Sequence, residues 1–248
     1  MVSPVPPEDF RGTARETGAL LRSAPLIRTA NFHNVPKRRI VEVEAQLKLW
    51  SSAFSSVNEA ELDRYLTTGE WHKPKPGLLI AIFNGYRNGY DNMRPLLERY
   101  GFVGWFYVPT LFVNEPAATQ QQFVSSRTLK IIHDEYPDGR YALSWDEIKA
   151  MDGRHVIACH TRNHARLQLD DLNYLENETV GPQLDFQKHL GHPVRAFASL
   201  SGQPYGQHGP SDRAIDRAGY QFITSNYKIQ RIRSVPGHAT PTADLQAR

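Results

Sequence analysis

The chain has a single cysteine, Cys159, in 248 residues. That excludes an intrachain disulfide and is compatible with a reducing compartment. No apolar run reaches the ~18 residues of a transmembrane helix, so no membrane span is expected. Excess charge is also lacking: 29 basic residues stand against 26 acidic ones, a net of +3. The longest basic run is Lys37-Arg38-Arg39, and no aromatic–basic interleaving marks a single-strand groove, so nucleic acid is excluded as the expected partner. The opening MVSPVPPEDFRG has neither the basic nor the apolar region of a secretory signal, which makes cytoplasmic the expected location. Internal repeats and low-complexity segments are missing too. What remains is an ordinary globular composition, 40% hydrophobic and 22% charged, long enough for one large domain or two small ones.

The patterning divides the chain at about residue 30. Residues 1–30 are Pro-rich and polar and read as an N-terminal arm; 31–248 read as one domain. Helical spacing covers Val41–Phe54, and a second helix follows Asn58. The run Leu78–Phe83 is continuously apolar, as a buried parallel strand requires. Asp91–Tyr100 reads as a helix closed by Gly101, and Val103–Val108 as a strand. Residues 109–141 read as a long irregular loop, of the kind that rims a site. Ser144 and Glu147 form a capping box ahead of a short helix. Then come a strand at His155–Cys159, a helix at Leu169–Leu190, a strand at Val194–Leu200, a helix capped by Ser211 and a strand at Phe222–Thr224. Strand and helix alternate from 78 to 224, which argues an α/β fold with a parallel sheet or barrel.

Two strand ends carry candidate chemistry. The first is CHTRNHARL, which places His160 and His164 four residues apart, a spacing that on one turn of helix faces both imidazoles the same way, toward one metal ion. Ten histidines placed at random would give roughly 0.4 such pairs, so the spacing needs context. The context is LLIAIFNGYRNGYDNMRPLLERYGF, where an apolar strand ends in a polar turn and runs into an amphipathic helix. At the mouth of an α/β barrel such strand ends come together, so the two histidines are expected to converge with Asn84 beside them. The plainer reading makes His160 and His164 packing histidines, Asn84 a turn residue ahead of Gly85, and Cys159 an inert strand residue. His33 and His155 read as packing or surface residues.

The order of these blocks resembles the polysaccharide deacetylases of carbohydrate esterase family 4, which share the chitooligosaccharide-deacetylase homology domain. The blocks are IFNGY (82–86), RPLLERYGF (94–102), HTRNH (160–164), QPYG (203–206) and AGYQFITSN (218–226), with NFHNVP (31–36) and LSWDEIKAMDGRHVIACHT upstream. The resemblance covers roughly 31–226 and implies a distorted parallel (β/α) barrel of about seven units. It implies zinc or another divalent metal on His160, His164 and the residue at position 84. Thr161 would orient the turn. Pro204, Tyr205 and Gly206 would line the substrate's acetyl pocket, with the Tyr205 backbone N–H as an oxyanion donor. The implied activity is hydrolysis of a carbon–nitrogen bond other than a peptide bond, removing acetyl groups from an amino-sugar polymer.

The chain departs from that pattern in its acidic motif. The family's metal-binding aspartate is Asn84 here. The general-base aspartate corresponds to Phe83, or is missing altogether if Phe83 matches the family's phenylalanine. An amide ligates weakly and a phenyl ring takes no proton; loss of a general base costs ~10²–10⁴ in rate. The late acid histidine is not evident, since His238 lies in a different context, and the last barrel units read as short or absent. Three functions follow: a deacetylase with impaired activity, a catalytically silent relative that binds a glycan or a partner, or a metal-independent hydrolase of a small amide or cyclic ureide. The first requires a substitute carboxylate, for which Asp91, Asp134, Glu135 and Asp138 are the candidates.

Overall fold

A computed structural model describes residues 26–167, 170–202, 205–206, 208–224 and 229–231. Its centre is strand β3 (Gly77–Phe83), every residue of which is buried. Alternation sends Leu78, Ile80 and Ile82 to one apolar cluster and Leu79, Ala81 and Phe83 to another, as a strand covered on both faces must. β1 (Ile27–Phe32) pairs along β3 in parallel. The sheet therefore takes in Ile27–Ala30, which the composition alone groups with the arm.

Helix α1 (Ile40–Ala53) and the short β2 (Ser55–Ser56) follow; β2 pairs with the first two residues of β3. Helix α2 (Glu59–Thr68) carries a capping box between Asn58 and Glu61 and stops at Gly69 in the left-handed conformation, which supplies its terminal hydrogen bonds. After β3 a π-helical turn, Gly89–Met93, leads into α3 (Arg94–Arg99). Then come β4 (Gly104–Val108), α4 (Thr110–Asn114), α5 (Gln120–Ser125), α6 (Trp145–Met151) and β5 (Val156–Cys159). The predicted box of Ser144 and Glu147 caps α6.

The segment 109–141 is thus not a bare loop. It holds α4 and α5 and has its own apolar cluster, in which Phe112, Phe123, Leu129, Tyr136 and Tyr141 pack with Tyr86. These helices are five and six residues long, too short to show a helical period in the sequence, and tertiary packing orders them.

Helix α7 (Leu172–Leu190) ends at Gly191; β6 (Ala196–Phe197), α8 (Gly209–Arg217), β7 (Phe222–Thr224) and β8 (Ile229–Arg231) follow among the described residues. β6 is two residues long, well short of the predicted Val194–Leu200. The cap of α8 is His208, whose ring accepts from the Ser211 N–H, so Ser211 lies inside the helix rather than ahead of it.

The strand order is β1-β3-β4-β5-β6-β7-β8, parallel throughout except for the antiparallel β7–β8 pair. The sheet forms a distorted half-barrel flanked by helices, as the block order implies. Within the described residues β8 turns back on β7 where a further β/α unit would follow. Inside the curve the Tyr107 and Thr224 hydroxyls meet at 2.6 Å, joining β4 to β7 across the interior. Parallel strands put their C-terminal ends on one rim, and so Phe83, Val108, Cys159 and Phe197 all end beside one another.

Candidate functional site

At that rim the polypeptide leaves β3 through Asn84 (φ 75°) and Gly85 (φ 61°), both left-handed. Asn is one of the few residues with a side chain that tolerates this conformation. Leaving β5, the chain passes His160, Thr161 (φ 62°) and His164 (φ 56°). The HTRNH segment is therefore a bend built on two left-handed residues, not the helical turn that its spacing suggests. The histidines still converge: their ring centroids are 5.0 Å apart and their planes lie at 72°. Both are almost fully buried, as are Asn84 and Thr161.

Each ring has a defined proton. His160 Nδ1 lies 2.8 Å from the Ala198 carbonyl oxygen just beyond β6; a carbonyl only accepts, so Nδ1–H donates and Nε2 keeps its lone pair. His164 Nε2 lies 3.1 Å from Asn84 Oδ1, and its Nδ1 lies 3.3 Å from Thr128 Oγ1. The Asn84 amide N–H donates in turn to the Tyr86 hydroxyl at 3.4 Å, which also accepts from the Lys130 N–H at 2.8 Å. Burial lowers the basicity of both rings, chiefly by desolvating the cation. His160 is pushed down to about 4 and His164 to about 3. At neutral pH both are uncharged.

A carboxylate that the motifs do not mark holds the bend in place. Glu178, buried on α7, accepts from the Arg162 N–H at 3.1 Å and the Asn163 N–H at 2.8 Å through Oε2, and from the Asn163 amide at 2.7 Å through Oε1. Arg127 donates to the Asn163 carbonyl at 3.1 Å, and Thr161 Oγ1 accepts from the Ala165 N–H at 3.0 Å. Glu178 lies on the inward stripe of a long helix, and a buried charge on such a stripe was the signal available in the sequence.

His33 is a second residue whose place the sequence misses. It follows β1 on the same rim and stacks on Phe83, with ring centroids 5.4 Å apart. Phe83 also stacks on Tyr107 at 4.8 Å and lies 5.1 Å from the His160 ring. The Phe83 ring is thus packed among three aromatic neighbours. His155, by contrast, is a packing residue as expected: its Nδ1 accepts from the Gly104 N–H at 3.0 Å. Cys159 is fully buried, and burial pushes its thiol up, away from the reactive range.

The donor set can be judged on this geometry. Two neutral imidazoles and one neutral amide oxygen meet, and His164 Nε2 is already engaged with that oxygen. Among the described residues no group of three or more histidine, cysteine, aspartate or glutamate side chains converges to hold a metal. The proposed substitutes do not join them. Asp91 and Asp138 are tied to Arg87 at 3.1 and 2.7 Å, and Glu135 accepts from Asn88 and from the Lys37 N–H. Two imidazoles and one neutral amide oxygen are a weaker donor set than two imidazoles and a carboxylate, and do not fit a tightly held divalent cation. Tyr205 and Gly206 are fastened to α8, through Tyr205 Oη to Asp216 at 2.7 Å and the Gly206 N–H to Asp212 at 3.1 Å. Pro204 and His238 lie outside the described residues.

The rim thus carries two paired histidines at the C-terminal ends of the parallel strands of a half-barrel. The sequence profile of the polysaccharide deacetylases matches residues 73–223, and the chain belongs to the polysaccharide deacetylase family. No match is found among curated protein sequences. Solved structures share the fold. The Streptococcus pyogenes deacetylase PplD, in complex with acetate, superposes with a TM-score of 0.61 at 18% identity, over 90% of this chain and 96% of that one. IcaB from Ammonifex degensii gives 0.60 at 18%, over 90% and 97%. A de-N-acetylase from Aggregatibacter actinomycetemcomitans gives 0.61 at 15%, over 83% and 90%.

Proposed function

We propose that this chain binds an acetylated amino-sugar polymer at the rim of the half-barrel and removes its acetyl groups far more slowly than a relative with the aspartate pair. One observation carries the reading: Asn84 Oδ1 stands 3.1 Å from His164 Nε2 where the family pattern has a charged ligand. Family membership supports a deacetylase-type hydrolase with a carbohydrate substrate. The uncharged donor set argues against a resident zinc ion, and the packed Phe83 ring leaves no carboxylate to take a proton from water.

The residues present can still recognise an acetamido group. The lone pair on His160 Nε2 accepts a hydrogen bond from an amide N–H or a water molecule. Beyond the bonds to Tyr86 and His164, Asn84 has a second amide N–H and a second lone pair for a ligand. The experiment measures acetate release from N-acetylglucosamine oligomers by the natural chain and by Phe83→Asp/Asn84→Asp, each with added zinc or cobalt. The expected result is little or no release by the natural chain and a partial gain in the double variant. Robust metal-dependent turnover by the natural chain would refute the reading. A melting curve accompanies the assay, because an unpaired carboxylate at position 83 would cost several kcal/mol.

A further inference from the structure

The geometry points to a second sugar-binding region, built by helix α1, that takes the residues of the polymer next to the one at Asn84. It rests on the proposed function above. A cavity of about 680 Å³ opens beside the site; Asn84 and Tyr86 line its inner end, and Arg39, Glu42, Gln46 and Trp50 line its outer wall. Those four are spaced three and four apart and so share one face of the α1 turns. The volume lies within the range that encloses a ligand several times larger than an acetamido group.

The chemistry of that wall is what a polysaccharide asks for. A pyranose ring presents apolar C–H edges and a belt of paired hydroxyls. An aromatic face meets the first, and planar groups that donate and accept together meet the second. Trp50 is half-buried, and its indole is fixed against Phe32 with ring centroids 5.9 Å apart. Arg39 grips Glu42 through two bonds, at 2.9 and 3.2 Å, which orients both planar groups before a ligand arrives. Gln46 adds an amide between them and Trp50. Both signs of charge are present, so the wall does not select a strongly charged chain.

Nothing in the deacetylation chemistry uses this helix, yet its polar face is continuous with the site through Asn84. The opposite wall is braced as well: Asn34 donates to the Lys130 carbonyl at 2.5 Å and accepts from Asn88 at 3.0 Å. A cavity with two braced walls, one aromatic platform and an inner end at Asn84 fits a linear polymer running outward along α1.

Calorimetric titration with N-acetylglucosamine and with its β-1,4-linked hexamer tests this. The natural chain should bind the hexamer about tenfold or more tighter than the monomer, a gain of ~1.4 kcal/mol or more. Trp50→Ala and Gln46→Arg should both erase that preference and leave monomer binding unchanged. Gln46→Arg fills the groove from a half-buried position and carries the test if Trp50→Ala is too unstable to titrate. Equal affinities for monomer and hexamer in the natural chain would overturn the α1 region while leaving the site at Asn84 intact. Folded Gln46→Arg protein that keeps the hexamer preference would do the same. Failure to bind either sugar would remove both readings. No hexamer binding, together with binding of a synthetic peptide of residues 1–25 that Gln46→Arg abolishes, would make the chain's own N-terminal segment the occupant and overturn the proposal.

Discussion

His164 Nε2 and Asn84 Oδ1 lie 3.1 Å apart and join the ends of two strands that are not neighbours in the sheet, β3 and β5. The bond satisfies two buried polar groups with each other.

Asn84→Asp should therefore bind zinc more tightly than the natural chain does. Aspartate tolerates the left-handed backbone at position 84 nearly as well as asparagine, so the fold should hold. Zinc at a hundredfold excess over its dissociation constant would then stabilise the variant by about 2.7 kcal/mol. Melting curves with and without zinc check this; an equal upward shift in the natural chain would show that Asn84 already completes a metal shell.

Removing the Glu178 carboxylate should loosen the histidine bend. Glu178→Ala strands the Arg162 and Asn163 N–H groups and should cost about 3 kcal/mol, whereas Glu178→Gln keeps one acceptor and should cost about 1 kcal/mol. Urea denaturation gives the totals. Amide exchange should accelerate at Arg162 and Asn163 before it does in β3; uniform acceleration would indicate a global effect instead.

Stability should fall as the pH drops below neutrality. His160 and His164 are held at about 4 and about 3, below the ordinary 6.5, chiefly by burial. Between those values and 6.5 the unfolded chain binds protons that the folded chain refuses. The stabilisation is thus complete above pH 6.5 and is lost toward the folded values, at roughly 1.4 kcal/mol per pH unit for each ring. Denaturation at stepped pH measures the slope, and His164→Gln should reduce it by about half. An unchanged slope in that variant would place the effect in other groups.

Tyr107→Phe should cost about 1–2 kcal/mol, because the Thr224 hydroxyl loses its 2.6 Å partner inside the half-barrel. Adding Thr224→Val should recover part of that loss, since neither polar group is then left unpaired. Additive costs in the double variant would mean that the two hydroxyls do not depend on each other.

Much of this protein was legible in one dimension. Continuous apolar runs marked β3 and β4, since a strand covered on both faces has no polar positions. Capping residues marked the start of α6, and Gly191 closed α7, because those constraints act within a few residues. Block order led to the family and to the rim where Asn84, His160 and His164 meet. Long-range packing decided the rest. It ordered 109–141 through the Phe112–Phe123–Tyr136 cluster, bent HTRNH by left-handed residues held by Glu178, and stacked His33 on Phe83. Those relations join residues up to fifty positions apart, and periodicity carries no record of which distant side chain will share a buried space. The sequence by itself determined that Phe83 and Asn84 end the strand; only the tertiary structure decided that an Asn84–His164 hydrogen bond and stacked aromatic rings surround them.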